Sequence, residues 1–209
     1  MSEPDVLDLL ERVGAFRKGH FVLTSGRHGD TYINKDAIYP YTQETSSLCQ
    51  AMAEHFKDAN IEVVIGPAVG AAILSQWTGH HLTEQSGRDV FSVYADKDGA
   101  GGFVLRRGYD KLVKNKRVLI VEDLMTTGGS VLKVVDVVRA LGADVAGVAV
   151  ICNRGGVTAD RIGNPTRFIC LVNVQLDSWE AKDCPACEHH VPINTDIGHG
   201  KEFVAAREK

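Results

Sequence analysis

The sequence predicts an α/β fold in which a mostly parallel central sheet is flanked by helices and carries a small hood. Short runs rich in valine and isoleucine alternate with helical stretches along residues 63–152, an order typical of parallel sheets. A strand, a helix and a strand follow one another between Val118 and Cys152, which indicates a right-handed parallel crossover. The turn-rich segment 14–40 precedes this regular order and does not follow its pattern, so it predicts the hood.

The first elements precede the regular part of the chain. Apolar residues near helical spacing predict an amphipathic opening helix that ends at Gly14. Segment 14–40 mixes short β-prone runs with turn residues and ends at Pro40, so we expect a hairpin-like structure there. A helix is predicted from Thr42 to Ala59.

The regular part is read from its apolar runs. In the stretch 131–141, polar residues recur at every third position among apolar ones, as on a helix that lies on a sheet, and Gly142 is placed to end it. The predicted elements, in order, are strand Val63 to Ile65, a helix from about Ala71, strands Val90 to Ala95, Phe103 to Arg107 and Val118 to Val121, helix Val131 to Leu141, and strand Val145 to Cys152.

Length and composition limit the classes of protein to which the chain can belong. The 209 residues predict a single domain, 1–209, with the hood built from about 14–40 and from a C-terminal tail, 170–209. The net charge of −4 offers no basic surface for a nucleic acid. No apolar run is long enough to span a membrane, and the N-terminus does not resemble a signal peptide. Five cysteines, an odd number, favour reduced thiols and a cytoplasmic location.

Two acidic residues mark a candidate site. Glu122 and Asp123 directly follow the predicted strand Val118 to Val121, and α/β sheets bind ligands at the carboxyl ends of their strands. Residues 126–130, Thr-Thr-Gly-Gly-Ser, then offer hydroxyls and backbone amides at a helix start, where a phosphate is favoured. An ordinary loop, with Ser130 or Thr127 capping the helix and the acids solvated, fits this spacing equally well.

Two familiar phosphate-binding loops do not fit these residues. No lysine follows the glycines, as a nucleoside-triphosphate loop requires, and the dinucleotide pattern G-x-G-x-x-G is absent. Carboxylates would repel a triphosphate, but they accept hydrogen bonds from the two hydroxyls of a ribose that carries one phosphate. The combination therefore suits a ribose 5-phosphate.

The stretch 118–130, VLIVEDLMTTGGS, resembles the 5-phosphoribosyl diphosphate (PRPP) signature of the type I phosphoribosyltransferases. The resemblance implies the type I phosphoribosyltransferase fold, with an acidic pair that faces the ribose hydroxyls and a turn that holds the 5-phosphate. The PRPP-binding residues implied are Glu122, Asp123, Leu124, Met125, Thr126, Thr127, Gly128, Gly129 and Ser130.

Two flanking segments narrow the resemblance. The hood FVLTSGRHGDTYINKDAIYP, at 21–40, and the tail CPACEHHVPINTDIGHGKEF, at 184–203, resemble those of orotate phosphoribosyltransferases. The similarity runs from about Gly14 to Phe203. It implies transfer of the 5-phosphoribosyl group from PRPP to orotate, giving orotidine 5′-phosphate and diphosphate in de novo pyrimidine (UMP) biosynthesis. A transferase for another base, such as a purine, and a PRPP-binding regulator without catalysis stay open as alternatives.

The resemblance also implies how orotate is bound. Arg154, just after the strand that ends at Cys152, corresponds to the family's orotate-contacting arginine, although by itself it would pass for a solvated loop residue. Thr126 corresponds to a position near both orotate and the ribose phosphate. Many family members have a lysine where this chain has Thr24, and Lys35 is expected to supply that charge.

A third segment, YADKDGAGGFVLRRGYD at 94–110, resembles the family's mobile catalytic loop. Its cations Lys97, Arg106 and Arg107 would stabilise the departing diphosphate and, with Asp123, form the implied catalytic set. Without the resemblance the segment reads as a solvated hairpin. In the family this loop reaches the active site of a partner subunit, so the resemblance implies a homodimer. It also implies Mg²⁺ as the cofactor, held mainly by substrate and water. The turn GPAVGAAIL at 66–74 resembles the family's pyrophosphate loop but lacks the lysine of some members.

The remaining histidines and cysteines are predicted to hold no metal. Cys184-Pro-Ala-Cys187, with His189, His190 and His199 nearby, resembles half of a zinc site. A structural zinc usually takes two well-spaced pairs, so a turn with reduced thiols is the expectation. The pair His80-His81 and the hood histidines His20 and His28 are expected to be surface or hydrogen-bonded groups.

Overall fold

The structure, a computed structural model, describes residues 1–23 and 25–207. Within these residues the chain forms a six-stranded main sheet and a separate two-stranded sheet. The strands are β1 Phe16–Val22, β2 His28–Ile33, β3 Val63–Pro67, β4 Phe91–Lys97, β5 Phe103–Val104, β6 Arg117–Met125, β7 Asp144–Asn153 and β8 Phe168–Asn173. The helices are α1 Glu3–Arg12, α2 Thr42–Glu54, α3 Gly70–Ser86, α4 Tyr109–Val113, α5 Gly129–Ala140, α6 Pro185–Glu188 and α7 Gly200–Arg207.

The main sheet confirms the predicted α/β class. Its order is β5-β4-β3-β6-β7-β8, and its pairs are parallel except for the antiparallel pair of β4 and β5. Successive strand residues point to opposite faces. Val64 and Leu119 accordingly pack in one core with Met52 of α2, whereas Ile120 packs in a second core with Val134 of α5. Helices therefore cover both faces of a sheet whose central strands β3, β6 and β7 are buried and mostly apolar.

The register of β6 leaves one of its flanks open near its end. Its pairing with β3 stops at Ile65–Ile120, whereas its pairing with β7 continues to Met125–Asn153. The strand was predicted to end at Val121, and it is longer because β7 supplies partners for Glu122, Leu124 and Met125. Residues 122–125 are thus held rigidly from one side only, at the carboxyl end of the sheet.

Besides the end of β6, three predicted boundaries differ from the structure by three residues or more. Helix α2 ends at Glu54 rather than Ala59, because Phe56 turns into the core and its backbone N–H bonds to Ala53 in a tighter turn. Strand β5 ends at Val104 rather than Arg107, whose positive φ of 58° breaks the extended chain. The predicted tail boundary at residue 170 falls inside β8, which pairs with β7, so the segment outside the main sheet begins after Asn173.

The smaller sheet pairs β1 with β2 and receives the C-terminal segment along its edges. His28 and Trp179 exchange backbone hydrogen bonds of 2.8 Å, and the Asn194 N–H donates to the His20 carbonyl at 2.7 Å. The hood strands and the C-terminal segment are therefore joined through their backbones. Among the described residues, no helix combines the length and apolar character needed to cross a bilayer.

Candidate active site

The acidic pair lies at the open flank of β6. Glu122 is 8% and Asp123 4% exposed. Lys35 Nζ lies 3.0 Å from Asp123 Oδ2, and the Tyr39 hydroxyl donates to the same oxygen. Asp123 Oδ1 accepts a 2.6 Å hydrogen bond from the Leu124 N–H. The segment that follows β2 thus compensates the buried charge of Asp123.

Burial and the neighbouring charge of Asp123 shift the pKa values of Glu122, Lys35 and Tyr39. Burial, followed by the negative charge of Asp123, raises the pKa of Glu122 to about 8. Burial by itself would lower the pKa of Lys35, but the charge of Asp123 and its hydrogen bond outweigh it, so the net pKa is raised and the amine stays charged. Burial and Asp123 together raise the pKa of Tyr39, which keeps it a neutral donor.

The turn after the acidic pair leaves the start of α5 open. Gly128 precedes the helix with a φ of 78°, and among the described residues no side chain caps it. The expected caps, Ser130 and Thr127, therefore do not close this end; Thr127 Oγ1 only accepts a long, 3.4 Å contact from the Gly129 N–H. A cavity of about 180 Å³ lies at this turn, and its lining is Glu122, Leu124, Met125, Thr126, Thr127, Gly128, Gly129, Ser130 and Val131.

A second cavity, of about 240 Å³, lies over the acidic pair. Its lining includes Lys35, Lys97, both carboxylates and the turn 67–71 after β3. A Cβ atom on Gly70 of this turn would lie 2.2 Å from the Tyr39 hydroxyl and 2.6 Å from Asp123 Oδ2. Only glycine allows such a close approach, so the turn after β3 and the end of β6 form one surface.

The predicted catalytic cations are not all brought to this cavity. Lys97, at the end of β4, lines it, but in the described part of the chain neither Arg106 nor Arg107 does. Arg107 Nη1 lies 2.6 Å from Asp96 Oδ2, and its guanidinium lies over the ring of Tyr94 at 5.6 Å. The short β4–β5 hairpin therefore presents one cation to the acidic pair and holds another on its outer side.

Arg154 lies in a third cavity, of about 320 Å³, between the hood and the C-terminal segment. The His199 N–H donates to the Val22 carbonyl at 2.9 Å, which brings the C-terminal segment to this position. Lys35, predicted for the same site, lies with Asp123 instead, and Thr24 falls outside the described residues. The lining is Leu23, Ser25, Tyr32, Ile33, Arg154, Gly198 and His199.

The loops after β6 and β7 touch one another. A Cβ atom on Gly155 would lie 1.6 Å from the Thr126 carbonyl oxygen, and the Arg154 N–H donates to the Met125 carbonyl at 2.9 Å. Thr126 therefore lines the cavity at the turn while its backbone packs against the loop that carries Arg154.

Sequence reasoning missed several residues at these cavities. Tyr39, which donates to Asp123, was noted only as part of the segment that precedes Pro40. Tyr32 and Gly198 line the Arg154 cavity, but they were noted only as parts of the hood segment 21–40 and the tail segment 184–203. Each is brought in by a segment remote from β6, so local spacing carried no signal for them.

The hood histidines are buried and hydrogen-bonded, which is the second of the two expected alternatives. His20 is 2% and His28 0% exposed, because the C-terminal segment covers them. Their rings lie within hydrogen-bond distance, His20 Nε2 to His28 Nδ1 being 2.7 Å, with the sulfur atoms of Cys184 and Cys187 beside them. His80, by contrast, is half exposed, as expected.

Comparison with known proteins gives a consistent result. The family model described as phosphoribosyl transferase domain matches residues 34–185. The orotate phosphoribosyltransferase of Caldanaerobacter subterraneus subsp. tengcongensis is 38% identical over 92% of this chain and 96% of its own. The crystal structure of Mycobacterium tuberculosis orotate phosphoribosyltransferase in complex with Fe(III) dicitrate is 27% identical, with a TM-score of 0.66 over 82% of this chain and 97% of that one. An adenine phosphoribosyltransferase from Thermoanaerobacter pseudethanolicus, 15% identical with a TM-score of 0.61 over 79% of this chain and 99% of its own, shares the fold.

Proposed function

This chain belongs to the orotate phosphoribosyltransferase family, and we propose that it transfers the 5-phosphoribosyl group of PRPP to orotate. The products are orotidine 5′-phosphate and diphosphate, so the reaction is a step of pyrimidine synthesis. One observation carries the proposal. The loop that bears Arg154 packs on the turn at the start of α5, so a cation for the base adjoins a site for the ribose phosphate.

PRPP is proposed to lie along the end of β6. The backbone amides and hydroxyls of residues 126–130 receive its 5-phosphate, which the positive end of the α5 dipole favours. Asp123 and Glu122 accept hydrogen bonds from the ribose hydroxyls in the cavity above them. This places C1 of the ribose towards the Arg154 cavity.

Orotate is proposed to occupy the cavity that contains Arg154. Its carboxylate and the planar guanidinium form a charge-assisted, bidentate hydrogen-bonded pair. A purine has no carboxylate and would leave this half-buried arginine without its counter-charge. The arginine therefore favours orotate over the purine alternative.

The chemical step needs no protein nucleophile. N1 of orotate attacks C1 of the ribose while the bond from C1 to the diphosphate oxygen breaks and the electron pair leaves with the diphosphate. The proton of N1 is released to the departing diphosphate or to water. Positive charge develops on the sugar and negative charge on the leaving group. Lys97 lines the cavity over the acidic pair, so it is placed to stabilise the leaving group, and the hairpin of a second copy would add Arg106 and Arg107 of the partner subunit.

The residues fit Mg²⁺ as cofactor. A hard cation takes oxygen ligands, and the cavity over Glu122 and Asp123 has room for an ion held mainly by diphosphate and ribose oxygens and by water. Lys35 and Tyr39 already occupy Asp123 Oδ2, so we assign the carboxylates to the sugar. When bound, Mg²⁺ would neutralise charge on the leaving diphosphate.

We further propose a homodimer in the cytoplasm. A cavity of about 580 Å³ beside the hairpin is lined by Val69, Ile73 and Trp77 among others, and Val69 is 81% exposed. An apolar concave surface of this kind suits a second copy of the chain. The five cysteines, all within the described residues, are free thiols, as is usual in a reducing compartment.

An assay of the purified chain with PRPP, Mg²⁺ and a panel of orotate, uracil, adenine, guanine and hypoxanthine tests the proposal. We expect formation of orotidine 5′-phosphate and diphosphate from orotate and none from the purines. Turnover of a purine without orotate would overturn the base assignment. Binding of PRPP without turnover of any base would favour the regulator.

A further inference from the structure

Four potential metal ligands from opposite ends of the chain meet beneath the hood. They are His20 of β1, His28 of β2, and Cys184 and Cys187 at the start of α6. One nitrogen or sulfur atom from each lies within 4.8 Å of all the others. His20, His28 and Cys184 are at most 2% exposed, and Cys187 is half-buried.

The distances in this cluster suit a tetrahedral ion. The sulfur atoms of Cys184 and Cys187 lie 3.6 and 3.7 Å from His20 Nε2, and Cys187 Sγ lies 3.4 Å from His28 Nδ1. Zinc bonds of about 2.0–2.1 Å to nitrogen and about 2.3 Å to sulfur give nitrogen-to-sulfur edges of about 3.6 Å. The two nitrogens, 2.7 Å apart, would separate to about 3.3 Å around the ion.

The tautomer of His20 presents a ligand atom to the cluster. Its Nδ1 lies 2.8 Å from the Val191 carbonyl oxygen, which can only accept, so Nδ1 carries the proton. In the neutral ring, Nε2 then holds a lone pair directed at the two sulfur atoms. A carbonyl on the far ring nitrogen is the partner that metal-bound histidines usually have, since it fixes the orientation of the ring.

The backbone prepares the site from both sides. His28 and Trp179 exchange hydrogen bonds of 2.8 Å, and His20 accepts one of 2.7 Å from Asn194. The cysteine pair lies between these two anchors, in a Cys-x-x-Cys spacing common in structural zinc sites. The sequence showed the cysteine half of the site. The hood supplies the second pair, His20 and His28, whose separation by seven residues matches no common spacing of zinc ligands.

We propose that His20 Nε2, His28 Nδ1, Cys184 Sγ and Cys187 Sγ bind one structural Zn²⁺. Two sulfurs and two imidazole nitrogens form a closed tetrahedral set that selects zinc over hard cations. On binding, each thiol releases its proton to solvent and both imidazoles stay neutral. The expectation that no side chain ligates a metal is replaced by this assignment.

The ion would fasten the C-terminal segment to the hood. Gly198 and His199 of that segment line the cavity that contains Arg154. On the premise of the proposed function, the zinc therefore shapes the orotate pocket from a distance. It is separate from the Mg²⁺ proposed over the acidic pair.

The first test measures metal in the intact protein without a histidine tag. Elemental analysis after growth with zinc and dialysis should find about one zinc per chain. Protein loaded with Co²⁺ instead should show the thiolate-to-cobalt charge-transfer and visible bands of a tetrahedral sulfur–nitrogen site. Wild-type protein that holds neither ion, or that carries a Cys184–Cys187 disulfide after isolation under reducing conditions, would overturn the proposal.

Variants locate the ion. Cys184→Ser and Cys187→Ser should lose zinc and the cobalt spectrum. The control Cys170→Ser alters a thiol in β8 whose pKa burial raises to about 12, and it should retain both. Retention of the full cobalt spectrum by both cluster variants would contradict the assignment. Because the wild-type cobalt titration stands alone, a variant that fails to fold does not weaken the test.

The effect on the base pocket is measured separately. Zinc is removed with a chelator, the chelator is dialysed away, and orotate and PRPP kinetics are measured with Mg²⁺ before and after zinc is restored. We expect a several-fold higher KM for orotate without zinc and a smaller change for PRPP. Equal KM values with and without zinc would refute the link to the pocket. The cobalt spectrum requires neither substrate, so failure of the site and failure of the proposed function are distinguishable.

Discussion

At the scale of single residues, Asp123 holds the centre of the candidate site. Its Oδ2 atom accepts from Lys35 and Tyr39 although the residue is almost fully buried. A buried carboxylate is tolerated when charge and donors surround it. These contacts fix the Asp123 side chain before substrate arrives, which suits its proposed role of orienting the ribose.

Asp123→Asn should weaken PRPP binding by about 10- to 100-fold, because a hydrogen bond to a charged group contributes roughly 1.5–3 kcal/mol. Calorimetric titration of PRPP with Mg²⁺ measures this change. The control Asp144→Asn removes an exposed partner of Arg117 and should leave affinity unchanged. A folded Asp123→Asn protein with wild-type affinity would count against the proposed role.

Glu122 should make the ligand-free protein less stable as pH rises. The unfolded carboxyl ionises near pH 4.5, whereas burial and Asp123 raise the folded pKa to about 8. Between these values the folded state binds more protons, so the free energy of unfolding falls with rising pH, by at most about 1.4 kcal/mol per unit. Urea unfolding from pH 5 to pH 8.5 should show this slope in the wild type and a flatter one in Glu122→Gln. The exposed control Glu202→Gln should keep the wild-type slope.

Arg154→Ala should raise the KM for orotate by about 10- to 100-fold, since a charge-assisted pair is lost, and should affect PRPP less. Steady-state kinetics with each substrate varied separates the two constants. Arg161→Ala, an exposed residue in the same connection between β7 and β8, serves as control. A larger effect on PRPP than on orotate would contradict the assignment of the Arg154 cavity to the base.

At the scale of elements, the site depends on contacts between loops that follow neighbouring strands. Strand β6 extends beyond the end of its pairing with β3 but stays paired with β7. The loops after β6 and β7 therefore begin next to each other. Gly155 makes their contact possible, because a side chain there would overlap the Thr126 carbonyl. The sheet thereby sets the position of the turn 126–130 relative to the cavity that contains Arg154.

Gly155→Ala should impair both substrates together. A Cβ atom 1.6 Å from the Thr126 oxygen forces the two loops apart, and a displacement near 1 Å costs about 100-fold in kcat/KM. Steady-state kinetics with each substrate and circular dichroism check the result. The control Gly79→Ala, in α3 with its closest new contact at 3.5 Å, should keep activity. Loss for one substrate alone would argue against coupled loops.

At the scale of the whole molecule, the β4–β5 hairpin carries cations that could act on the site of their own chain or on the site of a partner subunit. Lys97 lines the site of its own chain, whereas Arg107 lies on the outer side of the hairpin with Asp96. The apolar cavity that includes Val69 and Tyr94 lies on this outer side. This division suits a dimer in which the two arginines act on the partner's site.

Mixed dimers test that division. Asp123→Asn and the double variant Arg106→Ala/Arg107→Ala should each be nearly inactive alone. Random mixing makes half of the dimers heterodimers. If the arginines act across the interface, each heterodimer has one intact site of its two, so about one quarter of wild-type activity should return. Sedimentation should show a dimer throughout. If activity stays at the average of the two parents while exchange is verified, the arginines act within their own chain.

The fold was predictable because its signals are local. Valine- and isoleucine-rich runs between helical stretches indicated the parallel sheet, since apolar periodicity follows directly from secondary structure. The ends of β5, β6 and α2 were misplaced, because partner strands and core packing decide where an element ends. Of the cavity that contains Arg154, the sequence predicted that residue but not its neighbours, since the hood and the C-terminal segment supply most of the lining.

The sequence by itself determined the α/β class and the succession of two carboxylates and a Thr-Thr-Gly-Gly-Ser turn, because residues 118–130 are contiguous in the chain. Only the tertiary structure decided that Tyr39 and Lys35, 84 and 88 positions away, hold Asp123, and that Cys184 meets His20 across 164 positions. Periodicity specifies an element and the face that it buries, but not which distant segment packs against it. Those partners depend on how the whole chain packs.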